Sequence, residues 1–142
     1  MNILQRGLIL VLVAALPFSA RAAGELVVES AWIPPAPPGM AMYAGYATLA
    51  NRGDADVVIT AAQSPQFDDV SIHETVVVDG VSKMRALDAI TIPAGGEATL
   101  APGGRHLMLM EPRAAIGTKV DIVFVLADGR RVTAGFVVRE RD

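Results

Sequence analysis

The sequence has 142 residues, a formal net charge of −3 at pH 7 and no cysteine. This length fits a single domain. Without cysteine the chain can form no disulfide, no thiolate nucleophile and no zinc-thiolate site. Its only soft metal ligands are therefore its six methionines, and it has two histidines. The basic residues form no patch that would bind nucleic acid or anionic lipid.

The first 22 residues have the features of a secretory signal peptide. Arg6 precedes an uninterrupted apolar run over residues 8–16, and Ala20-Arg21-Ala22 provides small residues for a signal peptidase. Nine apolar residues are too few to span a bilayer as a helix. A lipid-anchored bacterial protein would also need a cysteine at the cleavage site. We therefore expect a soluble periplasmic protein without membrane insertion, in which residues 23–142 form one domain with a formal charge near −5.

Beyond residue 22, nearly the whole chain consists of short β-prone segments separated by turn residues. Residues 34–39 include four prolines and predict a stiff loop. Only residues 111–117 could hold a helical turn. So many short strands, with no long segment of helical period, predict an all-β sandwich or small barrel of the Greek-key type. The predicted strands are 25–33, 43–51, 55–62, 69–78, 81–87, 89–92, 97–100, 105–110, 119–126 and 131–138.

The clearest predicted hairpin contains the first histidine, His73. Asp79-Gly80 is a preferred two-residue turn, and it sets the register of the two flanking strands. In this register His73 and Met84 share one face as diagonal neighbours, about 7 to 8 Å apart at the backbone. Glu74 and Arg85 would meet on the opposite face as a cross-strand ion pair, which supports the register.

The second histidine begins the segment His106-Leu107-Met108-Leu109-Met110. Side chains alternate between the two faces of a strand, so the leucines should face the core while the histidine and methionines share the other face. His106 and Met108 would then lie about 6.6 Å apart along the strand, near enough to hold one small ion. With His73 and Met84, they make a neutral and soft ligand set that suits Cu(I), whereas Zn²⁺ would more often include cysteine or carboxylate.

Each of these residues also has an ordinary explanation, because methionine is mostly a core residue and an isolated histidine is usually structural. A β-sandwich interaction module would bind no metal. A hydrolase could use Ser71, His73 and Asp69, although no nucleophile elbow is visible. A blue-copper electron carrier would need a cysteine ligand. Met40 and Met42, on or beside the proline loop, could shield a bound ion or could simply be core or surface residues.

The order of the four candidate ligands resembles the signature of a known family. His73, ten residues, Met84, twenty-one residues, His106, one residue and Met108 form a pattern similar to that of the periplasmic copper chaperones called PCu(A)C. Residues 92–96 and 102–109 also resemble the usual sequence of that family. The similarity extends from about residue 31 to residue 138.

This resemblance implies a cupredoxin-like Greek-key β-sandwich that is not an enzyme and that binds one Cu(I) through His73, Met84, His106 and Met108. It also implies delivery toward the copper-A centre of cytochrome c oxidase, with the copper-A subunit or a Sco-type thiol protein as acceptor. We expect a monomer. Many members have methionine close after the first histidine, where this chain has Glu74-Thr75. Residues 139–142 also lack the His- and Met-rich tail that is thought to add a Cu(II) site in some members, so a second site of that kind is not expected.

Overall fold

A computed structural model describes residues 23–142, and the predicted signal peptide lies outside the described residues. The all-β prediction is confirmed, and no helix in residues 23–142 is long and apolar enough to cross a membrane. The strands are β1 (Leu26–Ile33), β2 (Met42–Asn51), β3 (Val57–Gln63), β4 (Phe67–Val78), β5 (Val81–Ala86), β6 (Ile90–Ile92), β7 (Glu97–Leu100), β8 (Arg105–Pro112), β9 (Lys119–Leu126) and β10 (Arg131–Val138).

The strands form one continuous hydrogen-bonded sheet in the order β5-β4-β8-β7-β2-β1-β10-β9-β3-β6. β2 pairs with β8 in its first half and with β7 in its second half. β4 and β3 lie near opposite ends of this order, yet they contact each other. The sheet therefore curls back on itself around one core, as in a sandwich or small barrel.

The core is built by the period-two alternation of apolar residues along the strands. In β9 every second residue is buried, from Val120 to Leu126. The ring of Phe124 lies 6.3 Å from that of Phe136 in β10. Leu107 and Leu109 bury one face of β8 in the same core. Burial of each such side chain contributes roughly 1.5–3 kcal/mol, so this core fixes the position of the β8 backbone.

The chain after Met110 differs from the prediction. β8 continues to Pro112, and the residues that follow are irregular rather than a helical turn. The N–H of Arg113 donates to the carbonyl of Gln66 at 3.0 Å, and its side chain pairs with Asp68 at 2.6 Å. These contacts to a distant part of the chain hold the segment in place without helical hydrogen bonds. The other strand boundaries agree with the prediction to within two residues.

Candidate metal centre

The hairpin of β4 and β5 has the predicted register. Thr75 pairs with Met84, which makes His73 and Met84 diagonal neighbours on one face. Asp79 and Gly80 have φ values of 51° and 76°. Two consecutive positive values are what a type I′ turn requires, so the turn chemistry explains the register.

β8 alternates as predicted and lies between β4 and the first half of β2. Leu107 and Leu109 have no exposed surface, whereas His106 and Met108 point to the other face of the strand. His106 and Met108 are nevertheless only 6% and 8% exposed. Directly across from His106, on β4, is His73. The pairing of β4 with β8 therefore brings the two histidines of the chain together on a covered face.

The two imidazole rings are close enough to share one metal ion. Their centres are 6.0 Å apart and their planes are tilted by 52°. A ring nitrogen binds a metal at about 2 Å, and the ring centre lies about 1 Å behind the nitrogen, so two rings on one ion have centres no more than about 6 Å apart. His73 and His106 are at this limit, which corresponds to a nearly linear arrangement of the two nitrogens about the ion. A four-coordinate ion would draw the two ring centres about 1 Å closer together.

One backbone carbonyl fixes the tautomer of the neutral His106 ring. Nδ1 of His106 lies 3.1 Å from the carbonyl oxygen of Gly104, which also accepts the N–H of Thr75 at 3.1 Å. A carbonyl oxygen can only accept, so Nδ1 of a neutral ring carries the proton and Nε2 carries the lone pair. This contact with a backbone carbonyl is typical of metal-binding histidines, because it orients the ring and sets its tautomer.

His73 has an unsatisfied nitrogen in the same place. Its Nε2 lies 3.1 Å from the hydroxyl oxygen of Ser71. Its Nδ1 is buried and has no hydrogen-bond partner among residues 23–142. A buried polar atom without a partner costs about 1–3 kcal/mol, so its presence in a folded protein needs an explanation. A metal ion bound at Nδ1 would provide one, with Nε2 donating its proton to Ser71.

An apolar cavity of about 210 Å³ lies between β8 and the segment that runs from the proline loop into the start of β2. Its lining includes His106, Met108, Met84 and three prolines of the loop. Met84 is 59% exposed, so the cavity opens to solvent beside β5. His73 does not line the cavity and adjoins it through the neighbouring ring of His106. Three of the four predicted ligands thus line one accessible cavity, and His73 lies beside it against the ring of His106.

The same contacts argue against the hydrolase alternative. Ser71 and His73 are in hydrogen-bond contact at 3.1 Å, as a nucleophile and its base would be. A triad also needs an acid that orients the other ring nitrogen. Nδ1 of His73 has no such partner, although Asp69 is on the same strand. The contact is therefore better suited to holding His73 than to activating Ser71.

The sequence interpretation missed two features of the site. It considered Ser71 only as a nucleophile, although a serine two positions before a histidine on one strand shares its face and can hold its ring. It also left open whether the proline loop covers the site.

Residues 23–142 contain no group of three or more His, Asp or Glu side chains that could hold a metal.

A family model described as "Putative lipoprotein LpqE-like" matches residues 26–138. The chain belongs to this LpqE-like family. A relative of this LpqE-like protein, "Putative lipoprotein Lxx21020" of Leifsonia xyli subsp. xyli (strain CTCB07), is 34% identical over 121 residues. The match covers 80% of this chain and 72% of the relative.

Solved structures share the fold of this LpqE-like protein. The copper-bound PCuAC domain from PmoF2 superposes with a TM-score of 0.67 at 22% identity, covering 83% of this chain and 95% of that domain. The solution structure of CuI-DR1885 from Deinococcus radiodurans gives 0.66 at 28% identity, covering 90% and 87%. Apo-DR1885 gives 0.62 at 26%, covering 99% and 97%. The LpqE-like chain therefore has the cupredoxin-like β fold of PCuAC domains, as its sequence predicted.

Proposed function

We propose that this protein is an exported copper chaperone that binds one Cu(I) and delivers it toward the copper-A centre of cytochrome c oxidase. The observation that carries the proposal is the buried, unpartnered Nδ1 of His73 beside a second imidazole whose Nε2 is free to bind. Met84 and Met108 supply thioethers at the cavity next to these rings. The copper-bound structures of similar fold support the choice of metal.

The proposed ligands are His73, Met84, His106 and Met108. Both imidazoles would bind as neutral rings and both thioethers are uncharged, so the bound ion keeps its single positive charge. Sulfur and imidazole donors suit soft Cu(I), and a harder ion such as Mg²⁺ or Ca²⁺ would prefer oxygen ligands. The apolar walls of the cavity further favour an ion of low charge, because burial of a more highly charged ion costs more.

A chaperone must also release its cargo. Thioethers and imidazoles hold Cu(I) less firmly than thiolates do, so an acceptor with cysteine ligands can remove the ion without an added energy source. The exposed thioether of Met84 offers a point at which an incoming ligand could begin the exchange. A copper-A subunit or a Sco-type thiol protein is the acceptor that this chemistry favours. The proposed role involves ligand exchange only, and we assign no catalysis to the protein.

We also propose that the protein is exported from the cytoplasm. Residues 1–22 would act as a cleavable signal peptide, and residues 23–142 would be the copper-binding domain in the periplasm. The lipoprotein-like description of the family and of its relative supports a location outside the cytoplasm. The chain itself has no cysteine to carry a lipid, so we propose that it is soluble, and we keep the expectation that it is a monomer.

An anaerobic Cu(I) titration against a competing chelator tests the proposal. We expect one tightly bound Cu(I) per chain, and weak binding of Zn²⁺. The variant His73→Ala should weaken the copper, whereas Val137→Ala is a matched control, because Val137 is an exposed apolar residue on β10. Absence of tight Cu(I) binding, or displacement of Cu(I) by an equal concentration of Zn²⁺, would refute the assignment.

The delivery step needs a separate assay. Cu(I)-loaded protein should transfer its ion to the soluble copper-A domain of cytochrome c oxidase or to a reduced Sco-type protein, and the metal-free acceptor should gain copper in the stoichiometry lost by the donor. Binding without transfer to either acceptor would leave a copper-binding protein whose cargo goes elsewhere, and it would contradict the delivery part of the proposal.

A further inference from the structure

All five methionines of residues 23–142 lie around one face of the sheet. Four of them line the cavity beside β8, and the fifth, Met110, is two residues beyond Met108 on the same strand face. Met40 and Met110 are 48% and 38% exposed. Methionine normally fills irregular gaps in a core. Met40 and Met110 have substantial contact with solvent, so core packing does not account for them.

Three of these thioethers form a group of their own. Met42 on β2 is directly opposite Met110 on β8, and side chains in directly opposite positions share a face with Cβ atoms about 4.5–5.5 Å apart. Met40 lines the same cavity as Met42. The N–H of Met40 donates to the carbonyl of Pro37 at 3.1 Å, which holds this residue in a turn of the proline loop.

The group lies next to the proposed histidine site. Met108 and Met110 are separated by one strand repeat of about 6.6–6.8 Å. Met40 and Met42 share their cavity with Met84, Met108 and His106. An ion could therefore move from Met40 and Met42 to Met108 within this one cavity.

We propose that Met40, Met42 and Met110 form a second, thioether-only Cu(I) site through which the ion enters and leaves the histidine site. This inference rests on the proposed copper function. Three uncharged sulfurs match soft Cu(I) and attract little else. The set lacks an imidazole nitrogen and is partly open to solvent, so it holds the ion more weakly than the histidine site and exchanges it faster. Its use is transit rather than storage.

The test is anaerobic Cu(I) titration of protein labelled with ¹³C at the methionine methyl groups, followed by NMR. The first equivalent of Cu(I) should shift the methyl signals of Met84 and Met108. A second equivalent should shift the methyl signals of Met40, Met42 and Met110. Its dissociation constant should be at least about tenfold larger than that of the first equivalent.

The test variant is the triple replacement Met40→Leu, Met42→Leu and Met110→Leu, which removes three sulfurs and keeps apolar volume. It should still bind the first equivalent of Cu(I) and should no longer bind the second. Its release of Cu(I) to a chelator should be slower by a factor of about three or more, which corresponds to a modest rise in the activation barrier. The matched control Met84→Leu should weaken the first equivalent and leave the second in place.

The outcomes separate the two proposals. If the wild-type protein does not bind the first equivalent of Cu(I), the copper function is refuted, and the second site with it. If the first equivalent binds as expected but further Cu(I) does not shift the methyl signals of Met40, Met42 and Met110, only the second site is refuted. The same conclusion follows if the triple variant releases copper as fast as the wild-type protein.

Discussion

Replacing Ser71 by alanine tests whether His73 is oriented for metal binding. The change removes the hydroxyl that lies 3.1 Å from Nε2 of His73 and leaves the other groups of the site in place. In the copper-bound protein, Nε2 would carry the proton and donate it to Ser71, while Nδ1 holds the metal. Without the serine, the His73 ring can rotate and can adopt the other tautomer. Cu(I) binding must then also order the ring, which lowers the affinity.

The expected effect follows from the type of contact. A neutral hydrogen bond contributes about 0.5–1.5 kcal/mol net. At about 1.4 kcal/mol for each factor of ten, this corresponds to a change of about two- to twelvefold in affinity. Groups that orient metal ligands typically change affinity by about 10–100-fold when removed. Ser71 is uncharged and half-buried, so water can replace it in part, and we expect Ser71→Ala to weaken Cu(I) about three- to tenfold.

Cu(I) competition titrations measure this change, and ¹⁵N NMR of the His73 ring reports the tautomer. Ser71→Thr keeps a hydroxyl and should retain most of the affinity. Ser82→Ala is the matched control, because Ser82 is exposed on the same hairpin and has no predicted contact with a ligand. If Ser71→Ala binds Cu(I) as tightly as Ser82→Ala and shows the same ring tautomer as the wild-type protein, the orienting role of Ser71 is wrong.

Four further predictions concern the site, the core and the export of the chain. In competition titrations, Met110→Ala should leave the affinity of the tight site for Cu(I) almost unchanged. Replacement by alanine of any one of the four proposed ligands should weaken that affinity by about tenfold or more; these ligands are His73, Met84, His106 and Met108. Copper retention measured by equilibrium dialysis should fall in acid, because protons compete with the metal for the imidazole nitrogens. Phe136→Ala empties a fully buried core position and should lower the free energy of unfolding in urea by about 3–5 kcal/mol. N-terminal sequencing of the periplasmic protein should begin near Ala23, and recovery of intact Met1 in the membrane fraction would contradict the signal-peptide prediction.

The strands and the hairpin register could be predicted because local chemistry determines them. The Asp79-Gly80 turn fixes the alignment of β4 with β5, and the predicted ion pair forms, with Arg85 2.7 Å from Glu74. The alternation in β8 follows from two leucines, which must reach the core. Each of these features depends on residues that are close in sequence or that share one strand.

The pairing of β4 with β8 could not be predicted in the same way. It places His73 opposite His106 across a long stretch of chain, and nothing near either histidine specifies that register. The spacing of the signature implied that the two residues meet, but only by resemblance. The cover over His106 and Met108 is also non-local, because it comes from the proline loop before β2. The irregular segment at Arg113 likewise depends on its distant partner Asp68.

We propose that one Cu(I) is held by two imidazoles and two thioethers. X-ray absorption at the copper edge, on protein loaded with one equivalent of Cu(I), tests it most directly because it counts nitrogen and sulfur neighbours of the metal. We expect a mixed shell of nitrogen and sulfur, which loses nitrogen in His106→Ala and loses sulfur in Met108→Ala. A shell of nitrogen and oxygen without sulfur would contradict it.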